Sequence, residues 1–150
     1  MALHRAEQIV EAVIANITGL TTTGDNVFRS RTAELPDNRT PALVVYLGPD
    51  APRSDGGSSS YRYIDGDLTV FVVAAVKGRT DALTETKLNL IRKEVTIALM
   101  ADHTQGLSFV IDTTEGQAVP EINGDGDKPV GRLRMEFTFH YRRSRTDPSA

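Results

Sequence analysis

The chain contains no cysteine, which excludes disulfides, thiol nucleophiles and thiolate metal sites, and suits folding in a reducing compartment without demanding one. Histidine is scarce. Only His4, His103 and His140 could serve as imidazole bases or ligands; they fall near the N-terminus, after the second predicted helix and on the last predicted strand, and read as surface residues. Long apolar runs are missing too. The longest, Val70 to Val76, is far shorter than the roughly 20 residues a membrane helix requires. Arg5, Glu7 and Glu11 interrupt the apolar residues of the N-terminal segment, so neither a signal peptide nor a membrane partner is expected. Charge of one dominant sign is also absent: the net charge is −3, with basic residues scattered except near the C-terminus, and no broad phosphate-binding face is implied.

The motifs that carry chemistry fail on inspection. The Gly19 to Gly24 spacing imitates a phosphate-binding loop, but Asp25 and Asn26 stand where Lys and Ser/Thr are required, and a helix stop is the plainer reading. Asn123, Asp125 and Asp127 alternate like calcium ligands, with Asp125 and Asp127 as weak metal candidates. Lys128 replaces the necessary glycine and Arg134 the bidentate glutamate, which favours a turn. No Gly-x-Ser-x-Gly occurs, and Ser58 to Ser60 lie in a stretch too mobile to position a nucleophile. Asp65 and Asp67 could share a strand face, but acids beside a glycine are expected to be solvated turn residues. Neither catalytic residues nor a cofactor is expected.

What is present is an ordinary globular composition: 150 residues, 39% apolar and 25% charged, enough for one domain with one core spanning 1–150. Apolar residues at helical spacing from Ala6 to Ile17 predict a helix over Leu3–Thr18, stopped by Gly19. Asn26–Arg31 reads as a short edge strand. Ala42–Leu47 reads as a central strand closed by Gly48-Pro49-Asp50. From Gly48 to Ser60 the composition predicts a flexible loop. Tyr61–Lys77 reads as one long strand, with Leu68, Val70, Val72, Ala74 and Val76 on one face and a bulge or hairpin at Asp65-Gly66. Asp81 caps a second helix that runs to about Asp102, roughly 33 Å long, with Leu83, Leu88, Ile91, Val95, Ala98 and Leu99 facing inward. Leu107–Asp112 is strand-like.

The final segment alternates most clearly: Leu133, Met135, Phe137, Phe139 and Tyr141 against Arg132, Arg134, Glu136, Thr138, His140 and Arg142. The fold class expected is therefore two-layer α+β, ordered αβββαββ, with a mixed, mostly antiparallel sheet of about five strands and both helices on one face. The other face must meet solvent or a partner. Arg53, Asp55, Arg132, Arg134, Glu136, Arg142, Arg143 and Arg145 are the interface candidates, and residues 143–150 read as a solvated tail or one ordered by a neighbouring subunit.

Several stretches together resemble the tail terminator proteins of long-tailed bacteriophages, also called minor tail protein U-like or tail completion proteins. They are the opening His4-Arg5-Ala6-Glu7-Gln8-Ile9-Val10-Glu11-Ala12-Val13, the Leu35-Pro36 turn, the strand Pro41-Ala42-Leu43-Val44-Val45-Tyr46, the Asp81-Ala82-Leu83 helix start and the ending Pro129-Val130-Gly131-Arg132-Leu133. The loop from Gly48 to Ser60 and the tail after Tyr141 look longer than that family's core requires. The resemblance implies a homohexameric ring in the virion, at the neck-proximal end of the tail, assembled in the host cytoplasm. It would cap the tail tube, end its polymerisation and join the head-tail connector, with DNA passing through non-specifically and no catalysis. Two alternatives stay open: a head-completion or connector ring protein, and a small nucleic-acid- or ligand-binding module using the C-terminal arginines and the Gly-rich loop.

Overall fold

A computed structural model describes residues 2–31, 37–53, 62–78, 80–123 and 130–150. The order of elements is α1 (Arg5–Ile17), β1 (Val27–Arg29), a 3-10 turn (Asp37–Arg39), β2 (Ala42–Pro52), β3 (Tyr63–Lys77), α2 (Asp81–Met100), β4 (Val110–Asn123) and β5 (Val130–Ser144). The αβββαββ order is thus realised, in one mixed five-stranded sheet ordered β1-β2-β3-β5-β4. Only the β1–β2 pair is parallel among these neighbours; β2–β3, β3–β5 and β5–β4 are antiparallel.

The apolar alternation of the strands decides which side the helices cover. Leu68, Val70, Val72, Ala74 and Val76 of β3 and Leu133, Met135, Phe137, Phe139 and Tyr141 of β5 are buried, and join one cluster with Ile9, Val10, Val13 and Ile17 of α1 and Leu88, Ile91, Val95 and Leu99 of α2. Both helices therefore lie on one sheet face. Gly131 permits α2 to approach closely, because a Cβ there would stand 2.4 Å from Thr84 Cγ2 and 2.9 Å from Leu88 Cδ1. A buried amide fastens the far end of α2: Gln105 donates to the Leu99 carbonyl at 2.6 Å and to Thr113 Oγ1 at 3.2 Å, and accepts from Asn16 Nδ2 at 2.8 Å. That satisfies most of a polar group which would otherwise be costly in the interior.

Several local expectations are corrected. β2 does not stop at Gly48-Pro49-Asp50; its pairing with β3 shifts between Leu47 and Asp50 and resumes through Pro52. The irregularity belongs there and not at Asp65-Gly66, where β3 pairs with β5 without interruption. The turn residues form a bulge because a strand can absorb an extra residue and continue. Thr80, not Asp81, caps α2, its hydroxyl accepting from Leu83 N. Leu83 faces outward and is 60% exposed, since the inward face begins at Thr84. The strand-like stretch at Leu107 starts only at Val110 but runs on to Asn123. Gly19 adopts the positive φ of +86° expected of a helix stop. Beyond β5 the chain folds back on itself, with Arg5 N donating to the Pro148 carbonyl at 2.8 Å and Arg145 N to the Arg62 carbonyl at 2.9 Å.

Candidate functional site: an open sheet face and two edges

The face of the sheet turned away from the helices is built by the polar half of the same alternation. Along β3 and β5, Asp65 stands opposite Arg142, Asp67 opposite His140, Phe71 opposite Glu136, Val73 opposite Arg134 and Ala75 opposite Arg132. Cross-strand neighbours on one face interact directly, and three pairings here are specific. Asp65 is 2% exposed and accepts from Arg142 Nε at 2.8 Å, with His140 Nε2 at 3.3 Å. Hydrogen bonding by this carboxylate, with its charge close by, holds the Arg142 guanidinium above its ordinary range. Arg53 grips Asp67 through two nitrogens, at 3.0 and 3.1 Å. Finally, Arg134 lies over the Phe71 ring, 5.2 Å from its centre.

Asp65 is therefore not a solvated turn residue but the buried anchor of the open face. The sequence signal that could have found it is its spacing from Arg142 and His140 in a long antiparallel pair, which requires the register to be known. Behind this face, Tyr141 reaches Asp50 at 2.7 Å. Burial, and then the Asp50 hydrogen bond, push the Tyr141 hydroxyl well above the usual phenol range.

Of the interface candidates, Arg132, Arg134, Glu136 and Arg142 share the open face of β5, and Arg53 joins them beside Asp67. Arg143 points its guanidinium to the Ser144 carbonyl at 3.2 Å, and Arg145 is exposed past the end of β5. Asp55, Asp125 and Asp127 lie outside the described residues. Among the described residues no group of three or more His, Asp or Glu side chains is arranged to hold a metal ion. A shallow groove of about 460 Å³ lies where β3, β4 and β5 meet the start of α1, lined by Arg5, Tyr63, Ser108, Phe109, Ile111 and Arg142. Arg5 crosses it, 4.5 Å over the Phe109 ring, with its guanidinium bonded to the Arg142 carbonyl.

Sequence reasoning missed two further surfaces. One is the outer edge of β4, a long strand whose side chains from Ile111 to Glu121 are mostly exposed, Thr113 being the buried one. The other is the outward face of α2, where Leu83, Leu90 and Ile97 stand exposed at seven-residue intervals, the spacing of a helix seam. Apolar residues aligned in this way mark contact surfaces more often than isolated ones do.

No family model matches the chain, and no curated protein sequence matches it. A solved chain from "Virion of native gene transfer agent (GTA) particle" has the same fold, with a TM-score of 0.56, 14% sequence identity, and coverage of 95% of this chain and 96% of that one.

Proposed function

We propose that this chain is a structural virion protein, a phage-type tail terminator whose copies form a ring on the finished tail tube, stop tube growth and offer the surface to which the head connector joins. The observation that carries the proposal is the fold match to a virion chain over nearly the full length of both molecules. A match confined to a shared core motif would carry much less. The surfaces agree with it: an open sheet face laced with ion pairs, an exposed edge strand and an apolar helix seam suit contacts with other proteins. Catalysis needs acid, base or nucleophile converging on one point and free to react; on the open face the Asp65 carboxylate is instead held by Arg142, with His140 Nε2 at 3.3 Å.

The partners under this reading are further copies of the chain, the tail tube protein and the connector, with DNA in passage. Growth of purified tube protein with and without the chain tests it. Tubes should stop short and carry end caps visible by electron microscopy when the chain is present. Tubes of unchanged length with bare ends would contradict it.

A further inference from the structure

The sheet ends in two edges, β4 on one side and β1 with the far half of β2 on the other. We propose that copies of this chain join edge to edge, the first half of β4 in one copy pairing antiparallel with the far half of β2 in the next. This rests on the ring reading above and specifies its joint.

Direction and height both fit. β4 runs against β5, β5 against β3 and β3 against β2, so β4 meets the β2 of an identically oriented neighbour as an antiparallel strand. Across the ladder, Pro52 lies opposite Gly66, Gly66 opposite Tyr141 and Tyr141 opposite Val110, while Leu47 connects in the same way through Val70 and Phe137 to Glu115. The stretches Leu47–Pro52 and Val110–Glu115 thus stand level on opposite sides of the molecule. A contact between different patches at equal height repeats laterally, and closes into a ring when each step turns by a fixed angle.

The obstacles are arranged consistently with this pairing. β1 occupies the slot beside β2 only at Leu43–Val45, a height that corresponds to Ala118–Pro120 of β4. A neighbour's β4 would strike β1 there, and this is where the second of β4's two register shifts falls, between Glu115 and Ala118, the first lying between Val110 and Asp112. Such a bulge bends a strand. Pro120, lacking an N–H, lies beyond the bulge, so no proline interrupts the half of β4 proposed to pair. Pro49 and Pro52 limit the number of donors on the β2 side, which keeps the ladder short and discourages runaway edge association.

Charge is complementary as well. β4 carries Asp112, Glu115 and Glu121 and no Lys or Arg, whereas Arg31 and Arg39 flank the β1–β2 side beside Arg29 and Arg53, which already pair with Glu7 and Asp67. Opposite potentials steer the pairing and oppose β4 meeting β4.

A chain with no native cysteine allows a direct test. Leu47 is 51% exposed and Glu115 is tied only loosely to Arg92, at 3.7 Å. The double variant Leu47→Cys with Glu115→Cys, mildly oxidised in its assembled state, should give a ladder of covalent oligomers beyond the dimer. Cross-linking should be about tenfold or more faster than in either single variant, because the thiols are held together. If native mass shows assemblies but the double variant gives no ladder, or Glu115→Cys alone cross-links as fast, the edge joint is wrong and the ring reading survives. If native mass shows only monomer with and without tube protein, both fall. Should the paired cysteines impair folding, the surface reversal Asp112→Lys, Glu115→Lys and Glu121→Lys should weaken assembly about tenfold or more at low salt; unchanged assembly would overturn the joint.

Discussion

The two faces of the β3–β5 pair share the same backbone and the same ladder, yet they do different work. Towards the helices the pair presents Leu, Val, Ala, Met, Phe and Tyr side chains that are almost wholly buried. Away from them it presents Asp65 with Arg142 and His140, Asp67 with Arg53, and Arg134 over Phe71. Removal of apolar area from water is the main favourable term in folding, whereas exposed ion pairs contribute little. The covered face should therefore set stability, and the open face the molecule's external contacts.

The largest break in that comparison is expected from Phe139→Ala. Phe139 is fully buried, and its truncation should cost about 3–5 kcal/mol, read as a lower midpoint of urea unfolding. On the open face the greatest loss should come from Asp65→Asn, because Asp65 is the one buried carboxylate among the described residues. Weakening its charge-assisted bonds should cost about 1–2 kcal/mol, discounted because Arg142 is itself partly exposed. A cost equal to that of Phe139→Ala would mean that the two faces share the load.

Tyr141 makes the covered face sensitive to pH. Its folded pKa is raised by burial and by Asp50, so the protonated form is favoured by folding. Its stabilising contribution is complete below the ordinary phenol pKa and is lost as pH rises beyond it, at about 1.4 kcal/mol per pH unit above pH ~10. Tyr141→Phe should remove this alkaline slope, as urea titrations at pH 9 and pH 11 would reveal. The smallest effect belongs to Arg134→Ala, which should change stability by less than about 1 kcal/mol while weakening association measured by native mass.

Most of the architecture was legible because the long inner strands are buried on one side only, and burial imposes alternation. In β5, apolar or aromatic residues alternate with polar ones without a break from Leu133 to Arg142, and the helices of the first and second halves show their inward stripes. β4 was largely illegible for the opposite reason. As an edge strand it buries little beyond Val110 and Thr113, so no period of two is enforced over Thr114–Asn123. The far end of β2 was hidden because Gly48, Pro49 and Asp50 are turn formers, and only pairing with β3 makes them a bulge. Asp65 looked like a turn acid until register brought Arg142 and His140 to it, since long-range pairing leaves no local trace. The polar face of β5 could be read in advance; the level edges could not, because they are a property of the assembled sheet.

Under the proposed function, copies of this chain assemble with one another. Native mass measurement of the purified chain at micromolar concentration, alone and then with tail tube protein, addresses it most directly. A discrete closed oligomer is expected in at least the second condition. A chain that stays monomeric in both would contradict it.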